Sequence, residues 1–370
     1  MAVLDQPGCQ GCDPRGEIAV VVCHQDPHCR DQPIRAVGQP GLAWCGSGGQ
    51  HRAVTSRDVR SPWGPGPFAP SGRQVRITRG DQEAVVTGVG ATLRAYTVAG
   101  EPVIDGFGPG EACEGGRGQP LIPWPNRLED GQYDFDGSTY QVDLSEPENH
   151  NAIHGLLRWA TWDVAELHTD RAVMSHVLFP TPGYPFVLGV ALSFTLTDEG
   201  LVVEVKAGNL CRRRLPLGIG FHPYLTLGTP VVDPVVLSVP ASTMLRSDDR
   251  GIPIGSSPVE GTPFDFRAGK PVGDMRLDTC FTGLERDGDG MATARLRDPG
   301  SGRALTLWAD TSFSHLMCFT GDTLDPRARR RGLAVEPMTC PPNALRSGDG
   351  SKVLEPGEEM TARWGLTPHG

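Results

Sequence analysis

The chain has 370 residues, a formal net charge of -10, 48 glycines, 34 prolines and 38% hydrophobic residues. This length suits one large β domain or two ordinary ones, and the glycine and proline content favours strands and turns over helices. No run of about 18 apolar residues occurs, which excludes a membrane-spanning helix, and the acidic balance argues against nucleic acid as a partner.

Residues 1–70 read apart from the rest. They carry six arginines against six acidic residues, so the acidic excess lies in the remaining 300. Their one coherent apolar run is 18–23, and they lead into the Pro/Gly-rich 61–72. Such a composition predicts a disordered or loosely packed extension. Cys9, Cys12, Cys23, His24, His28 and Cys29 include zinc-ligand types, but their spacing matches no standard finger. No metal or cofactor is therefore expected. The first residues lack the basic and apolar regions of a secretory signal. Cys113, Cys211, Cys280, Cys318 and Cys340 stand singly, as free thiols of a reducing compartment do. The expected location is cytoplasmic.

From Gln74 onward the pattern becomes short strands with apolar and polar residues alternating. Residues 74–78, 83–91, 92–98, 132–137, 138–144, 160–167, 172–179, 189–197 and 200–210 follow one another with turns between. Asp136-Gly137 and Asp198-Glu199-Gly200 read as hairpin turns. Further strands are expected at 233–240, 291–298, 302–310, 314–321 and 359–366. No helical stripe exceeds two turns. The fold class is all-β: residues 71–370 should form one large antiparallel β-sandwich. The basic cluster 327–331 reads as a solvated loop.

Four polar clusters interrupt this pattern. In Pro123-Trp124-Pro125-Asn126-Arg127, two prolines hold an Asn-Arg pair in an irregular loop, where the Arg fork suits hydroxyls or a carboxylate. In 149–155, two histidines and two asparagines cluster beside apolar residues. Asn, Gly and Pro147 argue against the helix that a His-x-x-x-His metal pair would need, which favours hydrogen bonding by His154 and a structural role for His150. In 218–225, Pro223 fixes its own φ and biases His222 towards extended backbone. Glu336 ends the apolar run 332–335, where a carboxylate is costly unless paired or poised for work.

Alone, His222 and Glu336 read as readily as structural groups. Together they suit a general acid–base pair. If they meet within about 4–6 Å, opposite charges should favour the ionised form of each. They are 114 positions apart, so only the fold can join them. Trp124, Phe221 and Phe281 are candidates for an apolar wall against a ligand or for plain core packing. No nucleophile elbow, phosphate loop or dinucleotide fingerprint is present.

In order, PWPNRLEDGQYDFDGSTYQV, NHNAIHGLLRWATW, GIGFHPYLTL, RLDTCFTGL and AVEPMTCPPNAL resemble the aldose 1-epimerase (galactose mutarotase) family, in its bacterial branch. The likeness spans 74–367. It implies a galactose mutarotase-like supersandwich and interconversion of the α and β anomers of a free hexose without a cofactor. It implies Glu336 as general base and His222 as general acid, with Arg127, His154 and Asp278 binding the sugar beside Asn126. The small-molecule sugar is the implied partner of a monomer or homodimer. Two rivals stay open: a mutarotase of hexose 6-phosphates, using Arg127 and Arg158, and a non-catalytic carbohydrate-binding sandwich.

Overall fold

The computed structural model describes residues 68–370, so the expected extension and its Cys/His set lie outside the described residues. Almost all regular structure is antiparallel sheet, with one short helix at Ala344–Ser347 and one 3₁₀ turn at Pro147–Asn149. No helix among the described residues is long and apolar enough to cross a membrane.

The expected hairpins form. Leu188–Thr197 pairs along its whole length with Gly200–Asn209, and Asp198-Glu199 makes the two-residue loop between them. The buried residues of the first strand are Leu188, Val190, Leu192, Phe194 and Leu196. This period of two puts one face in the core and leaves the other half-covered. Asp136-Gly137 joins Gln132–Phe135 to Ser138–Gln141. Both turn residues have positive φ, +49° and +73°, as the right-handed twist of a hairpin favours.

A nine-stranded sheet runs Asp163–Leu167, Arg171–Leu178, Leu188–Thr197, Gly200–Asn209, Glu359–His369, Ala304–Ala309, Ala292–Arg297, Val236–Ser238, Lys270–Pro271. The last strand of the chain thus closes the middle of the sheet. An eight-stranded sheet runs Pro253–Pro258, Ala241–Ser247, Asp278–Leu284, His315–Phe319, Leu333–Met338, Gly220–Phe221, Pro120–Leu121, and Tyr224–Leu225 also pairs with Leu333–Met338. A four-stranded sheet, Gln74–Arg79 to Glu101–Pro102, adds Val75, Ile77, Val86 and Tyr96 to the same core. Side chains of the two large sheets meet directly: Phe221 packs on Trp364 with ring centroids 5.3 Å apart and on Phe313 at 6.2 Å.

These contacts settle the aromatic candidates. Trp124, Phe221 and Phe281 all belong to the hydrophobic core, and Phe281 meets Phe266 edge-on. They pack the interior rather than wall a ligand. The 327–331 cluster also departs from expectation. Arg327, Arg329 and Arg331 are exposed, but Arg330 is half-buried and bonds Asp233 and Asp322, at 2.8 and 3.1 Å. A solvated loop is right for Arg327 and Arg329, while Arg330 and Arg331 fasten it, Arg331 through the buried Asp105 at 2.7 Å.

Phe221→Ala should lower the unfolding free energy by about 3–5 kcal/mol, the cost of a large core aromatic replaced by a cavity. Denaturant unfolding measures this, and a loss below about 1 kcal/mol would contradict the packing of the two sheets through this ring.

Candidate active site

Leu333–Met338 lies in the middle of the eight-stranded sheet and is buried along its whole length. Leu333 and Val335 enter the main core. Ala334, Glu336 and Met338 therefore take the opposite face, by the alternation of a strand. On its left, Cys280 pairs with Met317 and Met317 with Glu336. On its right the ladder is split. Gly220 pairs with Met338 and Tyr224 with Ala334, so the antiparallel register sets His222, midway between them, opposite Glu336. Pro223, which has no N–H to give, sits in the gap between the two short strands, and Val335 N–H donates to its carbonyl at 3.3 Å.

The register thus makes neighbours of two residues 114 positions apart. His222 Nε2 lies 3.4 Å from Glu336 Oε1, with side chains 6% and 2% exposed. Glu336 Oε2 has no hydrogen-bond partner among the described residues. Burial pushes the Glu336 carboxyl well above its ordinary range; the Asp278 charge adds to this and Arg127 opposes it. Burial, aided by the Arg158 charge, pulls His222 down to about 3. The expectation that proximity would favour both ionised forms is therefore reversed. Loss of hydration outweighs the attraction of the pair.

His154 is brought beside them, its ring edge-on to His222 at 5.3 Å. A reciprocal clasp holds it. Its Nδ1 accepts from the backbone N–H of Asn126 at 3.2 Å, and its own N–H donates to the Asn126 carbonyl at 2.9 Å. A ring that accepts at Nδ1 and stays neutral carries its proton on Nε2, and burial keeps His154 neutral, well below its ordinary value. The clasp requires positive φ at Asn126 and His154, +55° and +65°, a region Asn and His tolerate better than most residues. Asn126 also turns its Oδ1 back to the N–H of Arg127 at 2.9 Å.

Arg127 and Asp278 close the group with a bond at 3.5 Å. Asp278 is half-exposed, at 49%, against 15% for Arg127. The Arg127 fork meets a carboxylate of the protein itself. Arg127 is engaged with Glu146, through Nε at 2.9 Å and Nη2 at 3.1 Å, a bidentate pairing that fixes the guanidinium plane. Glu146 went unnoticed in the sequence, although an acid at the edge of the 149–155 polar patch is a fair hint of a partner for Arg127. His150 proves peripheral, 65% exposed and bonded to Asp130 at 2.9 Å. All six expected residues, Asn126, Arg127, His154, His222, Asp278 and Glu336, lie on one connected patch of a single sheet face and its adjoining loop.

Gly116 was not foreseen, and Arg158 was expected only as a phosphate contact. In the glycine-rich segment 110–120, Gly116 has φ of +74° and lies so close that a methyl there would stand 2.9 Å from His222 Cδ2. Arg158 has no carboxylate partner among the described residues, and its charge bears on both His154 and His222.

The sequence pattern that defines the aldose 1-epimerase family matches residues 73–367. The chain belongs to this family. It is 32% identical over 289 residues to the uncharacterized protein YihR of Escherichia coli K12, covering 78% of this chain and 91% of that protein. Among solved structures it resembles the GalM/aldose epimerase homologue from C. elegans, with a TM-score of 0.72 and 20% identity over 80% of this chain and 98% of that one. It also resembles the galactose 1-epimerase from Lactobacillus acidophilus NCFM, at 0.66 and 21% over 80% and 98%. The all-β, galactose mutarotase-like fold expected from the motifs is thus the observed one.

Gly155, with φ of +70°, sits where a methyl would overlap the Ile122 carbonyl. Gly155→Ala in this aldose 1-epimerase homologue should cost about 1–3 kcal/mol of stability and displace His154. Wild-type melting together with wild-type sugar binding would contradict the clasp.

Proposed function

We propose that this protein interconverts the α and β anomers of a free hexose by acid–base ring opening and closure. One observation carries the reading: His222 and Glu336 are register partners, 3.4 Å apart, on the buried site face. Membership of the aldose 1-epimerase family supports it, as does likeness in fold to a galactose 1-epimerase.

Ring opening needs a base for the proton on the anomeric hydroxyl and an acid for the ring oxygen as the C1–O5 bond breaks. The freed aldehyde turns about C1–C2, and the oxygen closes on its other face with the two roles reversed. Glu336 is the base and His222 the acid. The opposed shifts described above favour one proton held between the two groups. That proton rests on Glu336, and its passage to His222 as the sugar binds gives the carboxylate base and imidazolium acid that ring opening needs. His154, with its proton on Nε2, Arg127 and the half-exposed Asp278 hold ring hydroxyls so that the pair lines up with O1 and O5.

Arg158 favours a second reading, a hexose bearing an anionic group such as a 6-phosphate. Its guanidinium is desolvated, with Nε buried and unpartnered among the described residues. A phosphate would supply the missing counter-charge. Comparing glucose with glucose 6-phosphate separates the readings. Arg158→Met should leave the ratio of glucose to glucose 6-phosphate exchange unchanged in the first and abolish a phosphate preference in the second.

Glu336→Gln and His222→Gln should each lower the accelerated part of mutarotation by about 10²–10⁴-fold, measured by polarimetry against the spontaneous rate. Full turnover in either variant would remove that residue from the chemistry. The raised Glu336 value gives a further expectation. The one-proton state of the pair is lost as pH rises through that raised value, so kcat/KM should hold to a pH above the ordinary glutamate range and fall on its alkaline side. An alkaline limb centred near 4 would contradict the effect of burial.

A further inference from the structure

A histidine that moves protons is usually aimed by a hydrogen bond at its far ring nitrogen. His222 lacks one. Its Nδ1 is buried and meets no hydrogen-bond partner among the described residues, while Nε2 faces Glu336. What holds the ring is flat contact. The phenol of Tyr224 stacks on the imidazole with centroids 4.9 Å apart and planes within 10°. The sheet creates this contact, because residues two apart on a strand share a face, and both lie against Leu333–Met338.

Tyr224 is itself held from several directions. Its hydroxyl donates to the Gly115 carbonyl at 2.9 Å. The Arg117 guanidinium lies over its ring at 4.8 Å, and Phe319 meets it edge-on at 6.4 Å. Arg117 is fixed in turn by Asp105 at 3.3 Å, both side chains 7% exposed, and by the Glu114 carbonyl at 3.1 Å. Residues 114–117 are thus fastened to Tyr224, and Gly116 of that segment lies against the His222 ring.

We propose that Tyr224 is the positioning residue for His222: its clamped ring sets the plane and aim of the imidazole in place of a hydrogen bond at Nδ1. The catalytic consequence rests on the acid–base reading of His222; the ring orientation does not. The stack needs the aromatic face and not the hydroxyl, so Phe should serve at this position and Leu should not.

The test uses the full chain with Tyr224→Phe and Tyr224→Leu. It reads kcat and KM for whichever aldose the wild type accelerates, and the ¹⁵N imidazole signals of His222, assigned by their loss in His222→Gln. Tyr224→Phe should keep the ring signals at their wild-type positions and most of kcat. Tyr224→Leu should lose about 10²-fold in kcat, the scale of a misaimed group, with KM little changed and the His222 signals spread over both tautomers. Unchanged ring signals in Tyr224→Leu would overturn the proposal. So would a Phe variant as impaired as Leu, or a loss confined to KM. If Tyr224→Leu does not fold, Arg117→Met, which keeps the phenol and removes its clamp, should move the His222 signals in the same sense; unmoved signals there would also overturn it. If the wild type accelerates no aldose, the acid–base reading fails, and the ring spectra alone still decide whether Tyr224 holds His222.

Discussion

The site depends on one constraint, the burial of a carboxylate in the middle of a sheet opposite an imidazole. Leu333–Met338 has sheet on both sides and core behind it. Glu336 is 2% exposed, and among the described residues its one close polar partner is His222, at 3.4 Å. At an effective dielectric constant of about 20, two unit charges at that distance attract by roughly 5 kcal/mol. Removing each ion from water costs several kcal/mol. The two costs together exceed the attraction, so the pair settles as neutral groups that share a proton. Such a pair is poor as a salt bridge and well suited to passing protons to and from a sugar ring.

The surrounding architecture serves that pair in layers. The core face of the same strands, with Phe221 against Trp364, locks the sheet so that the register cannot slip. A slip of one residue would turn both groups to the wrong face. Beside the sheet, the Asn126–His154 clasp and the Arg127–Glu146 pair hold a loop at the same depth. Above it, residues 114–117 close over His222 through Tyr224 and Gly116. Exposure rises from Glu336 at 2% to Asp278 at 49%, giving the patch a dry end and a wet end.

Much of this was legible in the residues. Alternation marked the strands, Asp136-Gly137 and Asp198-Glu199 marked their turns, and the proline beside His222 marked where a ladder breaks. The six expected site residues do converge. What was not legible is what long-range register creates. Nothing near residue 222 shows that residue 336 will be its cross-strand partner, and charge reasoning without burial gave the wrong sign for both groups. Which carboxylate the Arg127 fork would meet was hidden because Glu146 lies 19 positions away. Arg330 looked solvated because its partners, Asp233 and Asp322, are separated from each other by nearly ninety residues. Tyr224 stood inside the motif that drew attention to His222, but a stack between residues two apart is visible only once the strand is known.

The central claim is that His222 and Glu336 act as one unit on an anomeric centre. Exchange NMR of the α and β anomers measures this most directly, with wild type, His222→Gln, Glu336→Gln and the double variant compared under one set of conditions. The account predicts that each single substitution removes most of the acceleration and that the double variant is no worse than the poorer single, as expected of groups that work together. Wild-type exchange in either single variant, or losses that multiply in the double, would contradict it.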